Sequence, residues 1–506
     1  MAGLRAARLP VPRRGPRAPA RPAWHRRPVR RDRGPARATG AVAALLAAAA
    51  ACSGVPRDLS GVDAGGDAAC GGTRAADPAF AAVLAFARAS IEASRVPGAA
   101  IAIARDGAVA HAGAVGSREA GRCSPVTVDT RFDTAFSRHV TAAAVAAAVA
   151  AGDAAYDDRI ADWMPAFAAA GPYDSGEVTV DHALLNTAGY SLNHTRACDD
   201  LDAFFAAHRE VPLWSPPGRI HLELLLHTTL AATALGSDLH ARVRALVVDP
   251  LGLDATYDRV AAAKGDFAFG HVLAGDEVRT LPAELRACPP SEPYRAPLVS
   301  ILDAARLLAP LADGDHPLTD GVADAFYPPE RATRGGFVRG PFDGEVDVAS
   351  ADVAAFGSAY AVRIVPHDRF AVVVFENASY GDPGAIADEA IRVFLGRRRA
   401  VDATPPAPAD PAALVGRYRD PLGGAEIVIA AGAGGGLTAS LDGAPPVPLV
   451  PARRDGQSFV RDLFEFRRAG NRIERVRIWR DPDGRAEAIS QSPYPPSLGP
   501  PLFRAP

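Results

Sequence analysis

Hydrophobic positions along the chain fall into three regimes. Between residues 77 and 95, Phe80, Val83, Leu84 and Ile91 recur at helical spacing, which predicts an amphipathic helix. Asp77 can cap that helix with Pro78 at its first position, and Val96-Pro97-Gly98 ends it. Two apolar runs, Ala99–Arg105 and Ala108–Val115, flank Asp106-Gly107, a strong two-residue hairpin signal. Val140 to Ala151 is almost all Ala and Val and predicts a buried helix. Residues 155–310 alternate helical runs with loops rich in Pro and Gly. Strand-like runs return at Gly336–Val338, Ala359–Val365 and Phe370–Phe375. A helix over Pro383–Leu395 then ends in Gly396 and three Arg, the chemistry a helix C-terminus prefers.

A different regime follows the Pro-rich stretch at 401–411. Short alternating runs appear at Glu426–Ala430, Leu437–Leu441, Val447–Val450, Phe459–Arg461, Leu463–Phe466, Ile473–Ile478 and Ala486–Ile489. They predict a small all-β domain. The GAGGG at 432–436 follows a strand but precedes no helix, so it reads as a hairpin turn, not a phosphate loop. The expected organisation is an export segment at 1–52, a tether at 53–75, a mixed α/β domain at 76–398, a linker at 399–411 and a β domain at 412–495.

Composition narrows the classes. Among 506 residues, 48% are hydrophobic and 22% charged, which excludes a wholly disordered chain and a collagen-like fibre. No strongly apolar window of 18 residues occurs beyond the N-terminus, which excludes several membrane-spanning helices. Twelve Arg against one Asp give residues 1–40 a charge of +11, so the net −3 of the chain leaves −14 on the rest. An acidic body does not suit general nucleic-acid binding. The basic N-terminus, the apolar run Ala41–Ala51 and Cys52 read as an export signal, with Cys52 a candidate for lipidation. The expected location is the cell envelope, either lipid-anchored or periplasmic or extracellular, with Cys52 as the one candidate link to the membrane. The remaining cysteines are Cys70, Cys123, Cys198 and Cys288, an even number suited to an oxidising compartment. They permit three connectivities, and sequence order favours Cys70–Cys123 and Cys198–Cys288.

The segment VPGAAIAIARDGAVAHAGAVG at 96–116 resembles the opening of the β-lactamase-related serine hydrolases, the group of class C β-lactamases, D,D-peptidases and esterases. TRFDTA at 130–135, AGDAAYDDRIADWMPAF at 151–167 and VTVDHALLNTAGY at 178–190 continue the likeness. So do WSPPGR at 214–219, DPLGLDATY at 249–257 and VVVFENAS at 372–379. Residues 412–490, beginning LVGRYRDP, resemble the β-barrel tail of many such proteins. The resemblance implies an α/β (α+β) β-lactamase/transpeptidase-like fold. Its antiparallel sheet would come from both chain ends, with flanking helices, a helical lobe between and a small all-β barrel-like domain behind.

The chemistry that the resemblance implies needs three motifs, and each is degenerate. The first is Ser-x-x-Lys at a helix start, where the amine takes the hydroxyl proton. Where relatives commonly read F-D-L-A-S-V-T-K, this chain reads Phe132-Asp133-Thr134-Ala135-Phe136-Ser137-Arg138-His139. A register with one residue deleted puts Arg138 at the lysine position, and a guanidinium does not give up its proton near neutral pH. No register helps, because the only lysine is Lys264 and Ala261 stands three residues before it. The second motif, Tyr-x-Asn after a Pro-Gly turn, falls on Leu222, or on Glu223 if shifted by one. The third, Lys-Thr-Gly or His-x-Gly on an inner strand, is filled by Ala349-Ser350-Ala351.

Other chemistry is thinner. Ser137 is either a helix N-cap or the nucleophile of a rebuilt site, although His139 at i+2 does not face it on a helix. No Gly-x-Ser-x-Gly elbow occurs. His221, Glu223 and His227 suggest a metal only weakly, since all three cannot share one helix face. Asp157-Asp158 reads as a helix cap. No cofactor is expected. The expectation is therefore an exported homologue of serine hydrolases that has lost catalysis and binds a peptide-like or peptidoglycan-derived ligand, or a protein. An active hydrolase rebuilt around Ser137 and a structural envelope protein with a filled cleft are the alternatives. Phe136, Ser137, Arg138, Leu222, Glu223 and Ser350 are expected to line one cleft.

Overall fold

The structure is a computed structural model. It describes Val62–Asp63, then residues 72–400 apart from 172, 191–204, 207–208, 214, 220–224, 237, 275–276, 284–296, 315, 325–330 and 356. From 411 to 504 it describes all but 420–425, 433–434, 454–458, 468–472, 481–485 and 492–501. Cys52, Cys70, Cys198, Cys288, Leu222 and Glu223 lie outside the described residues.

Helix α1, Pro78–Ser94, forms as its pattern predicts: the Asp77 carboxylate accepts from the N–H groups of Ala79 at 2.7 Å and Phe80 at 3.0 Å. It buries Phe80, Val83, Leu84, Ala87 and Ile91 on one face. Each large apolar side chain removed from water contributes about 1.5–3 kcal/mol. Strands β1, Gly98–Arg105, and β2, Ala108–Gly116, pair through a turn in which Asp106 (φ 53°) and Gly107 (φ 78°) are both left-handed. That turn matches the twist of the flanking strands.

The chain then leaves the sheet for a helical lobe. Helix α2, Ser137–Ala151, is built mostly of Ala and Val, and the small side chains let it lie within the core. Against it packs helix α4, Leu225–Ala232, which in turn carries the short helix α3, Val180–Leu184. Helix α5, Ile301–Ala312, starts at a capping box of Ser300 and Asp303 and lies back across the sheet. Strands β3, Gly321–Asp324, β4, Arg331–Thr333, β5, Val338–Pro341, β6, Asp347–Ala355, β7, Ser358–Val365, and β8, Phe370–Glu376, complete it. Helix α6, Pro383–Leu395, closes the domain with Gly396 left-handed at its C-terminus.

The order across the eight-stranded antiparallel sheet is β2-β1-β8-β7-β6-β5-β4-β3. The two chain ends therefore meet at the β1–β8 pair, Ala102 opposite Val373. Alternation along the strands sorts two cores. Ala100, Ala102, Tyr360, Val362, Val373 and Phe375 face α2, α5 and the helical lobe. Ala99, Ile101, Ile103, Val372 and Val374 face α1 and α6.

The C-terminal domain is a closed eight-stranded barrel: β9 (Gly416–Arg419), β10 (Glu426–Ala431), β11 (Leu437–Leu441), β12 (Val447–Arg453), β13 (Phe459–Arg467), β14 (Ile473–Arg480), β15 (Ala486–Gln491) and β16 (Leu502–Arg504). Two corrections follow. The runs around Arg461 form one strand, and the closing strand β16 lies past the expected end at 495. It pairs with both β9 and β15, removing the open sheet edge. Gly432 N–H donates to Gly436 O at 2.7 Å, so the glycine-rich stretch joins β10 to β11 as a hairpin.

Candidate functional site

The segment before α2 is held by a buried ion pair. Asp133 takes two bonds from Arg259, at 3.0 and 3.1 Å, with both side chains largely out of solvent. Bidentate geometry of this kind fixes direction as well as distance. The first turn of α2 is thereby set against strands β7 and β8.

Phe136 stands at the N-cap position with helical φ and ψ and makes no capping bond. It is fully buried. Its ring meets Tyr360 at 5.7 Å and Phe375 at 5.4 Å between centroids, both edge-on, the preferred aromatic geometry. One turn on, His139 lies 5.1 Å from the same ring. Ser137 is not the cap that its residue type suggested. It is the first helical residue, 3% exposed, and its hydroxyl donates back to Thr134 O at 3.3 Å. The Asp157-Asp158 pair is not a helix cap either. Asp158 accepts from Ala155 N–H at 2.8 Å, within its own turn, and Arg159 precedes the short helix Ile160–Trp163.

Side chains at α2's start are answered by the turn between β4 and β5. His139 Nδ1 lies 2.7 Å from Gly335 O. A carbonyl only accepts, so Nδ1 carries the proton and Nε2 accepts from the Tyr360 hydroxyl at 3.0 Å. Phe337 stacks flat on the imidazole at 4.3 Å. Burial, and then the Arg138 charge beside it, hold His139 well below the usual imidazole range, so it is neutral. The Arg138 guanidinium donates to Gly336 O. Gly336 has φ 80° and Gly335 has no room for a Cβ against Leu318 O, so glycine is needed at both. Arg334 anchors the turn from the other side, with bonds of 2.6 and 3.0 Å to Asp181 and its guanidinium 4.3 Å over the Tyr156 ring.

The arrangement corrects two expectations from sequence. Ser350 does not face the cleft. Val348, Ser350 and Asp352 share one side of β6, and Val348 lies in the core under α1 and α6. Ala349 and Ala351 face α2 instead. The structure thus brings Phe136, Ser137 and Arg138 together, turns Ser350 away, and leaves Leu222 and Glu223 undescribed. The register with a deletion is also unnecessary. Phe136 and His139 are the i, i+3 pair on the helix face toward the inner strands, the positions of serine and lysine in F-D-L-A-S-V-T-K. His139 was missed as part of that pair, although a gapless reading of Phe132–His139 would have found it.

Cys123 is exposed with a free thiol, while Cys70, its expected partner, lies outside the described residues. The Ser117 hydroxyl bonds to Arg122 O at 2.6 Å and Ser124 O at 3.1 Å, drawing the backbone on either side of Cys123 inward and leaving its side chain outside. Among the described residues no group of three or more His, Cys, Asp or Glu could hold a metal ion, and no helix is long and apolar enough to cross a membrane.

Comparisons agree with this geometry. The structure of SurE with D-Leu superimposes with a TM-score of 0.60 at 21% identity, covering 84% of this chain and 99% of that one. A second SurE structure gives a TM-score of 0.62 at 22% identity with the same coverage. The octameric penicillin-binding protein homologue from Pyrococcus abyssi gives 0.54 at 18% identity, covering 84% and 100%. These likenesses show the fold. No curated protein matches the sequence. The Beta-lactamase family model matches residues 83–396, more than half of the chain, and with the sheet order and the lobe in place the chain belongs to the β-lactamase family.

Proposed function

We propose that this protein is a non-catalytic member of its family, exported to the cell envelope, whose former catalytic face is filled by its own side chains. One observation carries the reading. The positions where the family's reaction needs a hydroxyl and an amine hold Phe136 and His139, and Phe136 is packed without exposure against Tyr360 and Phe375. Acyl transfer requires a nucleophile, a base within hydrogen-bond reach of it and room for the substrate. His139 is occupied on both nitrogens, by Gly335 O and the Tyr360 hydroxyl. Ser137 sits two positions from it, off its helix face, bonded to Thr134 O.

The retained role in this reading is binding, of a peptide-like ligand or a protein partner, with Cys52 as the membrane tether. SurE was solved with D-Leu, which makes D-amino-acid peptides the first ligands to assay. The decisive experiment is incubation of the full chain with a fluorescent penicillin and a fluorophosphonate, read by intact-mass spectrometry, alongside nitrocefin and p-nitrophenyl ester turnover. The expected result is no adduct and no turnover. A stoichiometric adduct on Ser137, abolished by Ser137→Ala, would overturn the proposal in favour of a rebuilt hydrolase.

A further inference from the structure

On the opposite face of the sheet from Phe136, strand β8 ends in Glu376. Its side chain is fully buried, and neither carboxyl oxygen has a hydrogen-bond partner among the described residues. Strand neighbours supply no charge: Ala99 of β1 and Ala359 of β7 flank it. Gly381 closes over the carboxyl so tightly that a Cβ there would stand 1.8 Å from Oε2 and 2.9 Å from Val96 Cγ2.

The corner between β8 and α6 also ties down several separate segments. Asn377 Oδ1 accepts from Gly98 N–H at 2.8 Å, and its amide donates to Ser117 O and Arg118 O at 3.1 and 3.0 Å. His271 Nδ1 donates to Asn377 O at 2.7 Å while Nε2 accepts from Ala120 N–H at 3.1 Å. The Tyr380 hydroxyl donates to Arg95 O at 3.0 Å. These bonded segments form one wall of a surface cleft of about 380 Å³, lined there by Arg95, Val96, Pro97, Gly116, Ala120 and Gly121.

We propose that Glu376 is a proton-operated latch, which as a neutral acid keeps the β8–α6 corner and the cleft wall closed and releases them once ionised. An unpaired carboxylate cannot remain in an apolar enclosure, whereas the neutral acid can. Burial, and then the charge of Asp382, push the Glu376 carboxyl up to about 8. The other titratable groups at this corner do not offset it. Asp382 caps α6 and is itself raised by burial, beside the Asp352–Arg363–Asp388 network. Tyr380 is raised by burial and stays neutral, with Arg95 opposing. His271 is lowered by burial, with its bond to Asn377 O and then the Glu119 charge opposing.

The sign is set by linkage. The closed corner holds a proton that the open corner gives up at the ordinary glutamate value, so closure is lost progressively as pH rises from about 4.5 to about 8. Hydrogen exchange corrected for its intrinsic rate tests this. In the full chain, protection of 377–382 and 118–121 falls about tenfold per pH unit between about pH 5.5 and 7.5 and levels off above about pH 8. In Glu376→Gln the protection is independent of pH. Should that variant fail to fold, isotope-edited infrared of the wild type labelled with ¹³C-glutamate reads the same event: one glutamate remains protonated at about pH 6.5 and ionises by about pH 9. Protection without pH dependence in the wild type, the same dependence in Glu376→Gln, or complete ionisation of the labelled glutamates at about pH 6.5 would each overturn the latch.

Discussion

Replacing Phe136 by Ala asks whether the face that bears the family's serine and lysine positions is truly packed. Phe136 is buried completely, with ring contacts to His139, Tyr360 and Phe375 at centroid distances of 5.1, 5.7 and 5.4 Å. Removing a buried Phe side chain costs about 3–5 kcal/mol, the loss of transfer free energy plus that of the cavity left behind. Three edge-on aromatic contacts argue for the middle or upper part of that range, about 4 kcal/mol. Rigid walls argue the same way, since His139 is fixed by Gly335 O and Tyr360 and cannot collapse inward. At about 2–4 °C per kcal/mol, the transition of the β-lactamase domain should fall by about 8–16 °C, nearer the lower figure for a domain of this size. Differential scanning calorimetry of the full chain resolves that transition from the barrel's. Phe136→Leu, which keeps part of the volume, should lose less than half as much. A loss below about 1 kcal/mol for Phe136→Ala would mean the ring faces an open cleft, and the non-catalytic reading would lose its chief support.

Three further outcomes follow from the same structure. Arg363 is buried between Asp352 at 2.8 Å and Asp388 at 2.7 Å, so Arg363→Met should cost about 3–5 kcal/mol in chemical denaturation, and adding Asp352→Asn and Asp388→Asn should recover part of it. His139 is held neutral by burial and by Arg138, while the unfolded chain takes up a proton below about pH 6.5, so this group's stabilisation is full above about pH 6.5 and is lost as pH falls below it, by about 1.4 kcal/mol per unit. His139→Asn should flatten the wild-type slope between pH 6.5 and 5 by about that amount, and an unchanged slope would show that the imidazole already charges in the folded state. Cys123 should react stoichiometrically with a maleimide in the folded, unreduced protein, whereas reaction only after reduction would point to a disulfide instead.

Much of the frame was legible because its causes are local. Asp77, Pro78 and the helical spacing to Ile91 define α1 without reference to the rest of the chain. Asp106-Gly107 defines the first hairpin through backbone φ alone, and Gly396 ends α6 for the same reason. Loss of Ser-x-x-Lys needed only a composition, since one lysine at 264 cannot satisfy the motif in any register. The family resemblance, carried by short segments in order, likewise pointed to the architecture now seen.

What stayed hidden depends on contacts between distant positions. Ser350 was assigned to the cleft by its motif position, but a strand's faces alternate every residue, and only the pairing of β6 with β5 and β7 shows that Ala349 and Ala351 look toward α2. The bond between His139 and Tyr360 spans 221 positions and needs the sheet to exist before it can form. Leu502–Arg504 reads as a tail until it closes the barrel on Tyr418 and Arg419. Glu376 is an ordinary acidic residue at the end of a strand until Gly381 folds over it and leaves its carboxyl without a partner. Helices, turns and missing motifs follow from neighbours along the chain, whereas strand faces, closure and the protonation of buried groups follow from neighbours in space.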